Sequence, residues 1–144
     1  MKHPTRFRQW LPTPTKGRML TGLKVGDTIA VGDGQERPVT LQDLKETEFK
    51  RENRIMLASG MLDMDGQEIY ETDIVQVYTQ QGPTGPSYFA YVFFNPARGF
   101  VFRNAKDVPI STVAFKRIWT NFYAEPHWMQ QFEHHASFIE EHWA

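Results

Sequence analysis

The sequence predicts a mainly β chain of the α+β class, built as a small barrel or sandwich with a C-terminal amphipathic helix. Three observations carry this. Short runs of strand length are apolar on both alternating faces, most clearly Tyr88-Phe89-Ala90-Tyr91-Val92-Phe93-Phe94 and Phe100-Val101-Phe102, which is the pattern of strands covered on both sides. Turn-forming clusters separate them: Gly32-Asp33-Gly34-Gln35, Asp65-Gly66 and Asn95-Pro96-Ala97-Arg98-Gly99,. Aromatic residues make up 14% of the 144 residues and gather in the second half, so each core position buries a large area. A chain of this length forms one domain with a core that needs no staples.

In chain order, Arg6-Phe7-Arg8-Gln9-Trp10 alternates polar and aromatic residues and reads as a short strand, with Phe7 and Trp10 on opposite faces unless a bulge intervenes,. The prolines in Leu11-Pro12-Thr13-Pro14-Thr15-Lys16-Gly17 end it,. Thr28–Val31 and Pro38–Leu41 flank Gly-Asp-Gly as a hairpin,. Thr40-Leu41-Gln42-Asp43 caps a short helix reaching about Phe49,. Ile55-Met56-Leu57 begins a strand, Asp65-Gly66 turns the chain, and Ile69 to Val77 forms a strand broken at Thr72-Asp73,. Residues 80–86 are a loop, 88–94 and 100–102 a hairpin, and Val113–Tyr123 a further strand. After Pro126, residues Trp128, Phe132, His135, Ile139 and Trp143 recur at helical spacing,. The expected segments are 1–58 (strands, hairpin and short helix), 59–126 (β core) and 127–144 (helix) within one compact domain.

Composition narrows function. There is no cysteine, which excludes disulfides, thiolate zinc sites and a cysteine nucleophile. The net charge of −1 provides no global field for nucleic acid,. The charge is uneven, however: the first two dozen residues hold Lys2, Arg6, Arg8, Lys16, Arg18 and Lys24 without a carboxylate, and the last twenty hold Glu125, Glu133, Glu140 and Glu141 without Lys or Arg. Head-to-tail pairing between subunits is one use of that asymmetry, although exposed pairs contribute little singly. No apolar run approaches a membrane span and no signal peptide is expected, so the expectation is a cytoplasmic protein with no membrane partner.

Candidate chemistry is sparse. Asp63-Met64-Asp65-Gly66-Gln67-Glu68 begins like a calcium loop, but Ile69 and Tyr70 stand where oxygen ligands should continue,. His127, His134, His135 and His142 lack the i, i+4 spacing of a zinc pair,. Glu48-Phe49-Lys50 matches a fragment of metal-dependent nucleases, yet its charged surroundings read as a solvated helix face,. Ser59, Ser87, Ser111 and Ser137 have no nucleophile context,. No catalytic, cofactor or metal residue is expected. The aromatic strands, with Arg98, Arg103, Lys106, Lys116 and Arg117 nearby, offer a platform of the type that stacks single-stranded nucleic acid.

One stretch resembles a known family. Ser59-Gly60-Met61-Leu62-Asp63-Met64-Asp65-Gly66-Gln67-Glu68-Ile69-Tyr70-Glu71-Thr72-Asp73-Ile74-Val75 is similar to the signature Thr-Gly-Leu-x-Asp-x-Asn-Gly-x-Glu-Ile-Tyr-Glu-Gly-Asp-Ile-Val of the YopX-like proteins, encoded by bacteriophages and prophages. Arg6-Phe7-Arg8-Gln9-Trp10 and Asn121-Phe122-Tyr123-Ala124-Glu125-Pro126 resemble the family's opening and closing segments, so the likeness spans residues 6 to about 129. Thr72 replaces a preferred Gly, and Thr120 departs likewise; if that Gly serves a positive φ, Thr72 is strained or the backbone differs. The resemblance implies a small barrel of the Src-homology-3 type with added strands and helix, and a tendency to self-associate. It implies no activity and no functional residues.

Three function classes follow. The first is a non-enzymatic phage accessory module for binding or assembly, a homo-oligomer with a host or phage partner, whose last helix docks through Trp128, Phe132, Ile139 and Trp143 on its own barrel or on a neighbour. The second is a nucleic-acid-binding module using Arg98, Arg103 and Lys106. The third is a metal-dependent hydrolase built on Asp63, Asp65 and Glu68.

Overall fold

The computed structural model describes residues 2–12, 17–32, 34–78, 82–104, 106–128 and 132. Among these residues the chain is mainly β, with three antiparallel sheets. The first runs in the order β2 (Arg18–Lys24), β1 (Arg6–Leu11), β5 (Ile55–Leu62), β6 (Glu68–Tyr70). The second runs β10 (Asp107–Pro109), β9 (Gly99–Arg103), β8 (Ser87–Asn95), β7 (Asp73–Tyr78), β11 (Lys116–Asn121). The third is the hairpin of β3 (Thr28–Ala30) and β4 (Glu36–Pro38). None of the described sheets closes into a barrel, so the expected closure is not formed. The outer strands β6 and β10 have three residues each, too short to carry a ladder round to the opposite edge, and Pro109 has no N–H to donate.

Side-chain alternation sets the layers. Phe7, Ile55, Leu57 and Ile69 of the first sheet meet Val75, Val77, Ala90, Val92, Phe94, Phe100 and Phe102 of the second in one core, closed at its margin by Ile29, Val39, Leu44 and Ile110. The segments 1–58 and 59–126 therefore share that core. The alternate residues Tyr91 and Phe93 of β8 point the other way, into a second cluster with Ile74, Val101, Phe122 and Phe132. This is the two-sided burial that the run of apolar residues predicts. On the far face of the first sheet, Met56, Ala58 and Tyr70 pack with Trp10, Met19 and Tyr123. Phe7 and Trp10 thus lie on opposite faces, with a register shift between Phe7 and Gln9 in the pairing of β1 with β2.

The helical segment is split. Thr40 caps α1 (Leu41–Lys45) in a capping box with Asp43, and extended backbone at Glu46 separates it from α2 (Thr47–Asn53). Because Thr40 is committed to the cap, the second hairpin strand is Glu36–Pro38 rather than Pro38–Leu41. Arg54, at φ 52, ends α2 in the left-handed conformation,. The expected C-terminal helix falls mostly outside the described residues; residues 126–128 form a 3-10 turn. No helix among the described residues is long and apolar enough to cross a membrane.

The capping box generates a pH dependence. The hydrogen bond from Arg37, helped by the Thr40 amide, lowers the Asp43 carboxyl to about 2 against the opposing effect of burial. A depressed carboxyl stabilises the fold above its unfolded value and loses that contribution as pH falls through the folded one. Acid unfolding followed by circular dichroism should show Asp43→Asn less stable than the parent near neutrality, with the difference shrinking between about pH 4 and pH 2. Thr40→Ala should cost about 1 kcal/mol in denaturant unfolding.

Candidate functional site

The acidic residues of the central stretch bond within the fold. Asp63 Oδ1 accepts from the amides of Asp65 and Gln67, both at 2.9 Å, and its Oδ2 accepts from the Ile118 amide at 3.0 Å. Gly66, at φ 82, makes the reversal between them possible,. Asp65 pairs with Arg117 at 2.9 Å. Glu68 pairs with Arg6 and accepts from the Gly60 amide. These oxygens hold a turn and dock it on β11. Among the described residues, no three acidic or histidine side chains are grouped to hold a metal ion.

The next three residues lie deeper. Glu71, Thr72 and Asp73 are 1%, 0% and 1% exposed. Glu71 Oε1 accepts from the Leu57 amide at 2.8 Å, and its carboxylate lies 3.3 Å from Lys50 Nζ. Asp73 Oδ1 accepts from Arg8 Nη2 at 2.5 Å, and its Oδ2 accepts from the Tyr70 amide at 2.8 Å. The Arg8 guanidinium also sits over the Tyr70 ring, 4.4 Å from its centroid. Burial raises the Asp73 carboxyl above its ordinary value, while Arg8 and the Tyr70 amide pull it back. Thr72 has φ 69, the left-handed conformation that Gly adopts most easily, here taken by a β-branched residue. It is held by its amide donating to the Val92 carbonyl at 3.0 Å and its carbonyl accepting from the Phe122 amide at 3.2 Å. Its Oγ1 is buried with no partner among the described residues. Glu48 is exposed, but Lys50 is buried, which corrects the solvated-face reading of Glu48-Phe49-Lys50: α2 turns Lys50 inward to Glu71. The sequence reading missed Arg8, Lys50 and Glu71 as buried charges. The one available signal was the placement of Arg8 and Glu71 within or beside apolar strand runs.

A cleft of roughly 530 Å³ opens where the N-terminal arm, β5 and the β8–β9 turn come together. Phe94 and Phe100 lie in its floor with ring centroids 4.9 Å apart, and the His3 ring meets Phe94 edge-on at 5.3 Å. Lys2, Arg6 and Arg98 are exposed residues of its lining, and no carboxylate among the described residues lines it. Arg6 shares its charge with Glu68. Among the described residues, Lys2 and Arg98 form no ion pair. The arm is anchored where the Thr5 carbonyl accepts from the Val25 amide at 2.9 Å and where Phe7 enters the core.

The basic residues expected to act together are dispersed. Arg98 lies in the turn just before β9 and Arg103 at the far end of that strand, roughly 17 Å apart by strand rise. Arg103 pairs with Asp107 at 2.5 Å and covers the Phe93 ring at 4.4 Å. Arg117 is held by Asp65, and Lys116 Nζ donates to the Val113 carbonyl at 2.6 Å. Lys106 is exposed, away from the cleft lining. Of the aromatic stripe, Phe132 is 1% exposed and packs on Tyr91 and Phe122 of its own chain. Trp128 packs on Phe89 at 4.9 Å, and Phe89 also meets Trp119 at 5.5 Å. Ile139 and Trp143 lie outside the described residues. His127 is exposed beside Glu125, and the other three C-terminal histidines also lie outside the described residues.

No protein-family model matches the chain, nor does any curated protein or solved structure.

The strained junction has two measurable consequences. Thr72→Gly removes a β-branched residue at positive φ and a buried hydroxyl without a partner, each worth about 1–3 kcal/mol. It forfeits about 1 kcal/mol of chain entropy and a similar amount of methyl packing. The net expectation is stabilisation by about 1 kcal/mol in denaturant unfolding, where a loss would show that Thr72 is not strained. Arg8→Ala leaves the buried Asp73 without its cation and should cost about 3–5 kcal/mol in the same measurement.

Proposed function

We propose that this chain is a YopX-like accessory protein of phage or prophage origin, a non-catalytic binding and assembly module of the bacterial cytoplasm that associates with copies of itself. The carrying observation is that each carboxylate of the central stretch, from Asp63 to Asp73, is engaged by an amide or a cation of the fold. Oxygens used in this way position strands rather than a hydrolytic metal. The retained positive φ at Thr72 agrees with the family resemblance at the position where Gly is preferred.

Self-association draws support from the aromatic row of Trp119, Phe89 and Trp128. Trp119 is 56% exposed on β11, and a large apolar ring in that setting is suited to burial against another molecule. A second reading, nucleic-acid binding, draws support from the cleft, which gathers Lys2, Arg6 and Arg98 beside aromatic rings, with no lining carboxylate among the described residues,.

Trp119→Lys should reduce the mass measured by light scattering while leaving the far-ultraviolet circular dichroism unchanged. An unchanged oligomeric mass would remove Trp119 from the interface, and a monomeric parent would remove self-association altogether.

A further inference from the structure

We infer that the cleft between the N-terminal arm and the β8–β9 turn is a nucleotide site, taking a phosphate group and its attached heterocycle either from a free nucleotide or from one unit of a single strand; this deepens, and rests on, the nucleic-acid reading. Charge is the first ground. The chain as a whole carries −1, yet among the described residues this cleft is lined by Lys2, Arg6 and Arg98 and by no carboxylate, with Arg6 engaged by Glu68 from outside the lining. Lys2 and Arg98 come from separate segments, the arm and the β8–β9 turn, and both line the cleft. Such a lining raises the local potential well above what the net charge provides.

The floor is the second ground. Phe94 and Phe100, 6% and 9% exposed, form the buried apolar base, with Met61 and Pro109 also in the lining, and the half-buried His3 ring, edge-on to Phe94, is the more accessible aromatic surface. A heterocycle has a π-face for such a surface, and its phosphate extends to the cationic rim. The volume of about 530 Å³ lies in the range of sites that hold one small ligand,.

The third ground distinguishes this ligand from an acidic peptide. Beyond Leu57, β5 has no ladder to β1, and a free strand edge is where an extended peptide adds. In the cleft-lining part of that strand, however, the Gly60 amide already donates to Glu68 and the Met61 amide to Ser59 Oγ. An added strand would find these donors taken, whereas the Lys2 and Arg98 cations and the His3 ring remain for a nucleotide.

The test uses the full chain, a fluorescein-labelled oligodeoxythymidylate followed by polarisation, and thymidine monophosphate and an oligoglutamate peptide followed by calorimetry, all at about 50 mM salt. The double substitution Lys2→Gln, Arg98→Gln alters exposed side chains, and circular dichroism checks its folding; Lys106→Gln, outside the cleft, is the control. The expected result is that the double variant binds the strand about tenfold more weakly and lowers the slope of log affinity against log salt by about 0.7 for each charge removed, with the control unchanged. Strand binding that the double variant leaves intact overturns the cleft assignment while preserving the nucleic-acid reading. Mononucleotide binding that the double variant loses, without strand binding by the parent, supports the cleft and overturns the nucleic-acid reading. Oligoglutamate binding in place of either ligand overturns the nucleotide class, and an absence of all three overturns both assignments.

Discussion

Two buried cations face two buried carboxylates on either side of Thr72, and the arrangement of the first two sheets depends on this junction. Arg8 comes from β1, Lys50 from α2, Glu71 from the turn between β6 and β7, and Asp73 from the start of β7. Charges at this depth carry a desolvation penalty that their attraction offsets only when the remaining oxygens are also bonded. Here they are: the Leu57 and Tyr70 amides complete the two carboxylates. The Glu71 amide also donates to the Leu57 carbonyl of β5, the Thr72 amide to Val92 of β8, and the Thr72 carbonyl accepts from Phe122 just after β11. Moving the turn by one residue would therefore place a carboxylate in the apolar core and separate it from its cation. The junction specifies register more than it adds net stability.

That specification explains why Thr72 can hold a positive φ. A lone β-branched residue in the left-handed region would relax if its flanks were free. Its amide and carbonyl are bound to Val92 and Phe122, and its neighbours are anchored by ion pairs. Strain persists where the surroundings over-determine the backbone. Nothing in the geometry connects this strain to a reaction, because the neighbouring carboxylates are occupied by the fold.

The cleft obeys a different logic. Its cations sit at the rim and its rings sit in the floor, so the apolar surface belongs to the core while the charge stays in water. Phe94 and Phe100 serve both roles, since they belong to the main core cluster and also line the cleft. The opening is thus continuous with the main core, and its shape is held by strands rather than by loops alone.

The sequence by itself determined the local features, because these depend on residues within a few positions of one another. The Asp65-Gly66 turn, the Thr40 cap, the break at Thr72, the hairpin across residues 95–99 and the two-sided burial of β8 are all legible from spacing and turn chemistry. Only the tertiary structure decided which groups meet. Arg8 and Asp73 are 65 residues apart and Lys50 and Glu71 are 21 apart, and no periodicity links such pairs. Arg98 and Arg103 read as one basic patch, yet the strand between them holds them apart and Asp107 engages Arg103. The cleft was illegible for the same reason, since the arm, β5 and the β8–β9 turn contribute a few residues each. Coulombic and packing energies act over a few ångströms in space, and the chain sets those distances only once the sheets have formed.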